Sequence, residues 1–395
     1  MSRRLLTVLT AVLAPVVLAT TASCTSAPAQ PPPAPEQVRV ATFNASLNRA
    51  AEGELVADLS TPDDPQARKV AEVVQRARPD ILLINEFDYA PAAVDLFRTN
   101  YLGLSQEGAE PIDYPHAFVA PSNTGVPSGF DLDNNGTVGG PNDALAFGQF
   151  PGQYGMLVLS RFPIDTAAVR TFQQFLWKDL PGARLPAGGY YSPEELAVLP
   201  LSSKSHWDIP VRVGAQTVHV LAAHPTPPSF DGPENRNGLR NADEIAFWRL
   251  YVQPGDQAQA LVDDAGRRGG LADGERFVIL GDQNSDPFDG DSVPGAAQQI
   301  LTAHRVIDSE PGSDGAVEAS KLQGGPNTTH RGDPRLDTAD FGEPAPGNLR
   351  VDHVLPSEPM EVRGSGVFWP VAADPLARLN DTSDHHLVWV DLTVR

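Results

Sequence analysis

Six short stretches of the chain end or interrupt an apolar run with side chains that can ligate a cation or move a proton. Asn44 follows Val40-Ala41-Thr42-Phe43, and Glu86 follows the run from Ile81 to Asn85. His224 follows Val220-Leu221-Ala222-Ala223, while Asp282 and Asn284 follow Val278-Ile279-Leu280-Gly281. Asp352 and His353 sit inside Val351 to Leu355, and Asp384, His385 and His386 precede Leu387-Val388-Trp389-Val390. Each is costly to bury without a partner. Any one of them alone has a plainer reading as a strand-end cap or turn residue. Six segments delivering carboxylates, amides and imidazoles are read together as one site. Hard oxygen donors such as Glu86 and Asp384 suit Mg²⁺, Mn²⁺ or Ca²⁺.

The strands that must hold these groups are predicted at 38–44, 81–84, 155–160, 218–223, 277–280, 351–355 and 387–390. The run at 81–84 is apolar without alternation, as a strand buried on both faces would be. A helix is predicted over 66–78, because Val70, Val73, Val74 and Ala77 recur at helical spacing and Pro79-Asp80 end it. A second helix near 240–252 would bury Ile245, Trp248 and Val252. Glycine- and proline-rich stretches at 107–153, 178–194 and 310–350 read as long loops. Strands alternating with helices define an α/β protein. No repeat or second linker divides it, so one domain is expected over 37–395.

Composition narrows the chemistry. The chain has 395 residues, 41% of them hydrophobic, which is enough for a large core. Its single cysteine excludes an internal disulfide framework and a cysteine-built zinc or iron–sulfur site. Fifty acidic residues against 29 basic ones give a net charge of −21. That field repels polyanions and disfavours tight, sequence-independent nucleic-acid binding. An acidic protein can still act on phosphate esters when a cation supplies the positive charge.

The N-terminus reads as an address. Arg3-Arg4 and an apolar stretch ending in small residues form a signal peptide over 1–23, too short and proline-broken for a membrane span. Thr21-Ala22-Ser23-Cys24 resembles a lipobox, with Cys24 the lipidated residue, although Thr21 stands in place of the usual leucine. Ordinary cleavage near Ala27-Pro28-Ala29 is the alternative. Ser2-Arg3-Arg4 also allows a twin-arginine reading. The proline-rich stretch 24–36 would be a semi-rigid tether. Export is expected, either to the outer face of a membrane through a lipid anchor or as a secreted protein.

Taken in order, Phe43-Asn44, Glu86, Gly281-Asp282-Gln283-Asn284, Val351-Asp352-His353 and Ser383-Asp384-His385 resemble the endonuclease/exonuclease/phosphatase superfamily over about 38–392. The resemblance implies a deoxyribonuclease-like fold, a four-layer α/β sandwich of two packed mixed β-sheets flanked by helices. It implies that Glu86, with Asn44 and Asp384, holds a divalent metal, Mg²⁺ first and Mn²⁺ or Ca²⁺ otherwise. His224 would be a general acid or phosphate clamp, and Asp282 and Asn284 would align or deprotonate the attacking water. His385 would be the base or transition-state stabiliser, with Asp352 orienting its ring. A carboxylate on one imidazole nitrogen fixes the tautomer and raises the basicity of the other.

Two further groups of residues are candidates. Asp131, Asp133, Asn135 and Thr137, with Gly136 between them, resemble the start of a calcium loop, and a structural Ca²⁺ is the expectation there. Position 12 of that loop is Asn142, followed by Asp143; a polar turn is the alternative. Lys204, His206, Trp207 and Asp208 would line a substrate wall, the alternative being Trp207 in the core and the others a solvated strand end. Arg236 and Arg240 would grip a second phosphate, the alternative being surface arginines. The whole is expected to be a monomeric, exported, metal-dependent phosphoesterase: a phosphodiesterase, nuclease or phosphatase. Its substrate would be nucleic acid, a nucleotide, a phospholipid head group or a small ester. The alternatives are a non-catalytic surface-binding module on the same fold and a calcium-binding adhesin.

Overall fold

The computed structural model describes residues 36–342 and 345–395. The signal, Cys24 and the tether up to residue 35 lie outside the described residues. In chain order the strands are β1 (Glu36–Asn44), β2 (Ile81–Asn85), β3 (His116–Phe118), β4 (Met156–Ser160), β5 (Arg170–Thr171), β6 (His206–Val213) and β7 (Gln216–Ala223). They continue with β8 (Arg276–Asp282), β9 (Ala339–Asp340), β10 (Asn348–Leu349), β11 (Asp352–Pro356), β12 (Glu361–Val367) and β13 (Val388–Val394). One sheet runs β12-β13-β1-β2-β4-β3 and the other β11-β8-β7-β6-β5, with β9 and β10 as a separate pair. All neighbours are antiparallel except β1 with β2 and β7 with β8. Parallel neighbours require a crossover. Here each crossover carries a helix, Pro65–Ala77 in the first and Arg236–Val252 in the second.

Period-2 alternation divides each strand between two cores. Val40, Ile81, Leu83 and Val158 of the first sheet meet Ile209, Val220, Val278 and Val354 of the second. The opposite parity of the first sheet, Phe43, Leu82, Ile84 and Leu157, packs on Val70 and Val74 of the Pro65–Ala77 helix. On the second sheet Leu221, Phe277 and Ile279 pack on Ile245, Trp248 and Tyr251 of the Arg236–Val252 helix. The result is helix, sheet, sheet, helix, the four-layer sandwich of two mixed sheets. The Pro65–Ala77 helix starts where it should. Asp64 caps it by accepting from the Ala67 N–H at 2.7 Å, and Pro65 fills the first helical position.

Four stretches differ from the expectation. The stretch 310–350 contains the helix Asp314–Gln323 and the β9–β10 pair, so it is not one long loop. Likewise, 107–153 contains β3, which pairs with β4. β6 and β12 also form where no strand was expected. No helix among the described residues is long and apolar enough to cross a membrane.

Candidate active site

Strand parity builds the site. Asn44 continues the inward row of Val38 and Val40, and Asp282 continues that of Val278 and Leu280. By the same count Asp352 precedes Val354, and His224 follows Val220 and Ala222. Four polar side chains therefore stand at the end of the apolar layer between the sheets, where the hydrophobic rows stop. Register completes the alignment: Asp352 lies opposite Asp282 across β11 and β8, and Asn44 lies beside Asn85 across β1 and β2.

The groups form one chain of hydrogen bonds and ion pairs. His385 Nδ1 lies 2.8 Å from Asp352 Oδ2, and His385 Nε2 lies 3.6 Å from Asp282 Oδ2. That same Asp282 oxygen is 3.3 Å from His224 Nε2 and accepts from Asn44 Nδ2 at 3.1 Å. Asn44 Nδ2 also donates to Glu86 Oε1 at 3.2 Å, so a single amide bridges two carboxylates. The second Asp282 oxygen accepts the Asn284 N–H at 2.7 Å, and Asn85 Oδ1 of the first sheet accepts the Asp282 N–H at 3.1 Å. Glu86 and Asn284 each turn the chain at a strand end with φ of 59° and 51°. This left-handed region is disfavoured for a glutamate, and it is held here at a site. Gly281 has φ 138°, and a Cβ there would lie 2.0 Å from the Ala223 carbonyl oxygen, so only glycine lets β8 approach β7 immediately before Asp282.

Electrostatics follow from burial and pairing. Burial pushes Asp282 up, but His385, His224 and Asn44 together outweigh it and hold the carboxyl well below the usual range. Burial opposes charge on His385, yet Asp352, Asp282 and Asp384 raise its pKa well above the ordinary value. His224 is the opposite case: burial, then the Lys204 charge, lower it to about 4, so this ring is neutral. Glu86 is raised, chiefly by burial, with Asp282 adding to the rise.

Asp282, Asp352 and His385 each offer a ligand atom, and those atoms lie within 4.8 Å of one another, a candidate divalent-cation site. Two observations fit a cation. Asp352 Oδ1 is buried with no hydrogen-bond partner, and Glu86 and Asp282 stand as neighbouring carboxylates with one amide between them. Of the expected metal ligands, Glu86 and Asn44 belong to this constellation. Asp384 does not join its chain: it is exposed, and its carboxylate accepts from Ser383 Oγ at 3.3 Å.

The expected substrate contacts fare differently. His206 is outside the site because it has the opposite parity to Trp207, Ile209 and Val211, which face the other sheet. Its ring packs on Phe247 and Trp248, with Nδ1 2.6 Å from Ser202 Oγ and Nε2 2.9 Å from the Glu244 carbonyl oxygen. Arg240 spends its Nε on the Leu201 carbonyl and its Nη2 on those of Pro200 and Leu145, all at 2.9 Å, so these donors are not open to a phosphate. Arg236 Nη1 donates to the Leu132 carbonyl at 3.0 Å. At the candidate calcium loop, Asp131 and Asp133 cluster with Asp143, the residue after position 12. There Asn135 and Thr137 take part through turn bonds: Asp131 accepts the Asn135 N–H at 3.0 Å, and Asn135 Oδ1 accepts the Thr137 N–H at 2.8 Å. Sequence reasoning missed Thr338, whose hydroxyl donates to Asp352 Oδ2 at 2.9 Å. It also missed Asn85, which ties the two sheets together.

The Endonuclease/Exonuclease/phosphatase family matches residues 41–385, and the chain belongs to that family. Among solved structures, an endonuclease/exonuclease/phosphatase from Beutenbergia cavernae is 18% identical, with a TM-score of 0.50 over 91% of this chain and 72% of that one. The human Nocturnin catalytic domain with bound sulfate is 13% identical, with a TM-score of 0.47 over 91% and 95% of the two chains. Sphingomyelinase C from Streptomyces griseocarneus is 13% identical, with a TM-score of 0.45 over 91% and 100%. No curated protein matches. The family and the Asp/Asp/His cluster define a hydrolase that acts on phosphate esters.

Proposed function

We propose that the chain hydrolyses a small phosphate ester by direct attack of water, with a divalent cation held by Glu86 and Asn44 beside Asp282, while His385 stays protonated and does not ligate it. The supporting observation is the continuous chain from Asp352 through His385 and Asp282 to His224, with Glu86 joined by Asn44. When bound, the cation would polarise the phosphoryl oxygen and stabilise charge on the leaving oxygen. Asp282, held ionised by His385, His224 and Asn44, orients the attacking water and accepts its proton as the P–O bond forms, and Asn44 and the Asn284 N–H fix the carboxylate. His385 keeps its proton between two carboxylates and offers it to the phosphoryl or leaving oxygen, while Asp352 holds the ring. Neutral His224 orients the phosphoryl group by hydrogen bonding.

The test is hydrolysis by the purified chain with Mg²⁺, Mn²⁺ or Ca²⁺ against chromogenic diesters, nucleotides, DNA, RNA and sphingomyelin. Metal-dependent release of product is expected, and Glu86→Gln should lower turnover by about 10²-fold or more by removing the charge beside the cation. Turnover and metal affinity unchanged in that variant would overturn the assignment. We further propose export with Cys24 as a lipid-anchor site, supported by the small residues before Cys24 and the prolines after it. Cys24→Ala should then move the protein from the membrane fraction to the soluble one.

A further inference from the structure

Beside the buried chain of acid and base groups lies a cavity of about 570 Å³, the size of a small-molecule pocket. Glu86, His224 and Lys204 line it, and so do Ala144, Phe147, Tyr191 and Leu199. The cavity therefore joins the reacting groups to an apolar wall. Arg236 and Arg240 also line it, but they commit donors to backbone carbonyls, so neither presents an uncommitted fork to a second phosphate. Lys204 is different. Its side chain is buried, 6% of the residue being exposed, and no hydrogen bond or ion pair among the described residues engages its ammonium. The charges of Glu244, Glu86 and Asp282 favour the ammonium at this depth, and its donors stay open to an anion in the cavity.

We propose that this cavity receives the organic half of the ester while Lys204 holds the phosphoryl group. The substrate class is then a small ester with one phosphate and an uncharged, apolar, aryl-sized group, rather than a nucleic-acid strand or a polyphosphate. This rests on the phosphoesterase reading. Three things carry it: the apolar wall, the Lys204 ammonium that lines the cavity without a hydrogen bond among the described residues, and the net charge of −21 that repels polyanions.

The first arm of the test measures kcat/KM on 4-nitrophenyl diesters whose second group is methyl, phenyl or 1-naphthyl, with an oligonucleotide as comparison. The naphthyl ester should exceed the methyl ester by about tenfold or more, the scale of a filled hydrophobic pocket. Ala144→Leu narrows the cavity. Phe147→Ala removes part of its wall at a residue that is 53% exposed, where folding is not at risk. Both should cut the naphthyl-to-methyl ratio several-fold, whatever happens to absolute rates. Lys204→Met should raise KM for every ester and leave that ratio alone, and Lys204→Arg should restore part of the loss. The second arm measures calorimetric binding of 1-naphthylphosphonate and methylphosphonate, which needs no turnover; the naphthyl compound should bind about tenfold more tightly.

Preferential binding without hydrolysis of any ester would uphold the cavity and sink the phosphoesterase reading. Hydrolysis with no preference, or an oligonucleotide cut faster than any aryl ester, would overturn the cavity assignment and leave the phosphoesterase reading standing. Equal binding of the two phosphonates would also overturn the cavity assignment.

Discussion

His385 stands between two carboxylates, and its charge depends on both. If Asp352 acts only through that ring, removing it after the ring is gone should change little. Asp352→Asn with His385→Ala is therefore expected to be about as slow as His385→Ala alone, since groups acting as a unit are strongly non-additive. The measurement is kcat/KM for both single variants and the double, with thermal unfolding of each; losses that add would refute the pair. The residues of this chain were legible because each ends a buried run in a side chain that cannot be hidden alone. Thr338 was not, since nothing in its own neighbourhood connects it to Asp352, 14 positions away. His206 was misread by the same strand-end rule. The alternation of Trp207, Ile209 and Val211 already put the histidine on the other face, and that signal was available. Because burial keeps its ring neutral down to about 3 and both nitrogens are engaged within the chain, its role is packing. His206→Ala should lower stability by about 2–4 kcal/mol through a cavity and unpaired polar groups, with kcat/KM for a small ester unchanged. Denaturant unfolding beside the esterase assay decides it.

At the scale of elements, strands with unbroken apolar runs were predicted to within a few residues, and those carrying breakers were lost. Pro210 disguised β6, and Gly364 and Gly366 disguised β12, whose pairing with β13 carries an irregularity between Val362 and Gly364. The Asp314–Gln323 helix escaped because it buries little, Gly315 and Ala316 alone, and its sequence shows no apolar stripe. Immediately before β9, Asp337 is buried near Asp286, Asp289 and Asp333. Burial first, then those charges, raise its carboxyl from an ordinary 3.8 to about 8. Between these values the folded state holds a proton that the unfolded chain has released. Stability should therefore fall as pH rises across that window and level off above it. Asp337→Asn removes the titration, so its melting temperature should exceed that of the natural chain by more at pH 8 than at pH 5. Equal differences at the two pH values would show that Asp337 ionises normally.

On the scale of the whole molecule, the two sheets meet along an apolar layer whose polar end is the site. Asn44, Glu86 and His385 come with the first sheet; His224, Asp282 and Asp352 come with the second. The family resemblance conveyed this four-layer plan. The order of strands was not legible, because pairing between distant segments leaves no local pattern. One pairing has a topological consequence. β1 and β13 are antiparallel neighbours, with Glu36 opposite Val394, so the first and last described strands lie side by side. The domain is in effect a ring with one cut, and the cut can be moved. A circular permutant that joins Arg395 to Glu36 by a short flexible linker and opens at exposed Asp273-Gly274 should fold to the same sheets and keep its esterase activity. Circular dichroism and kcat/KM measure this, and loss of β-sheet signal would show that the cut is fixed. The nine residues of β1 span roughly 26 Å at about 3.3 Å per step, and Asn44 lies at the far end from that cut. A linker, a tag or a support attached at Glu36 therefore holds the molecule by its back, with the catalytic mouth turned outward.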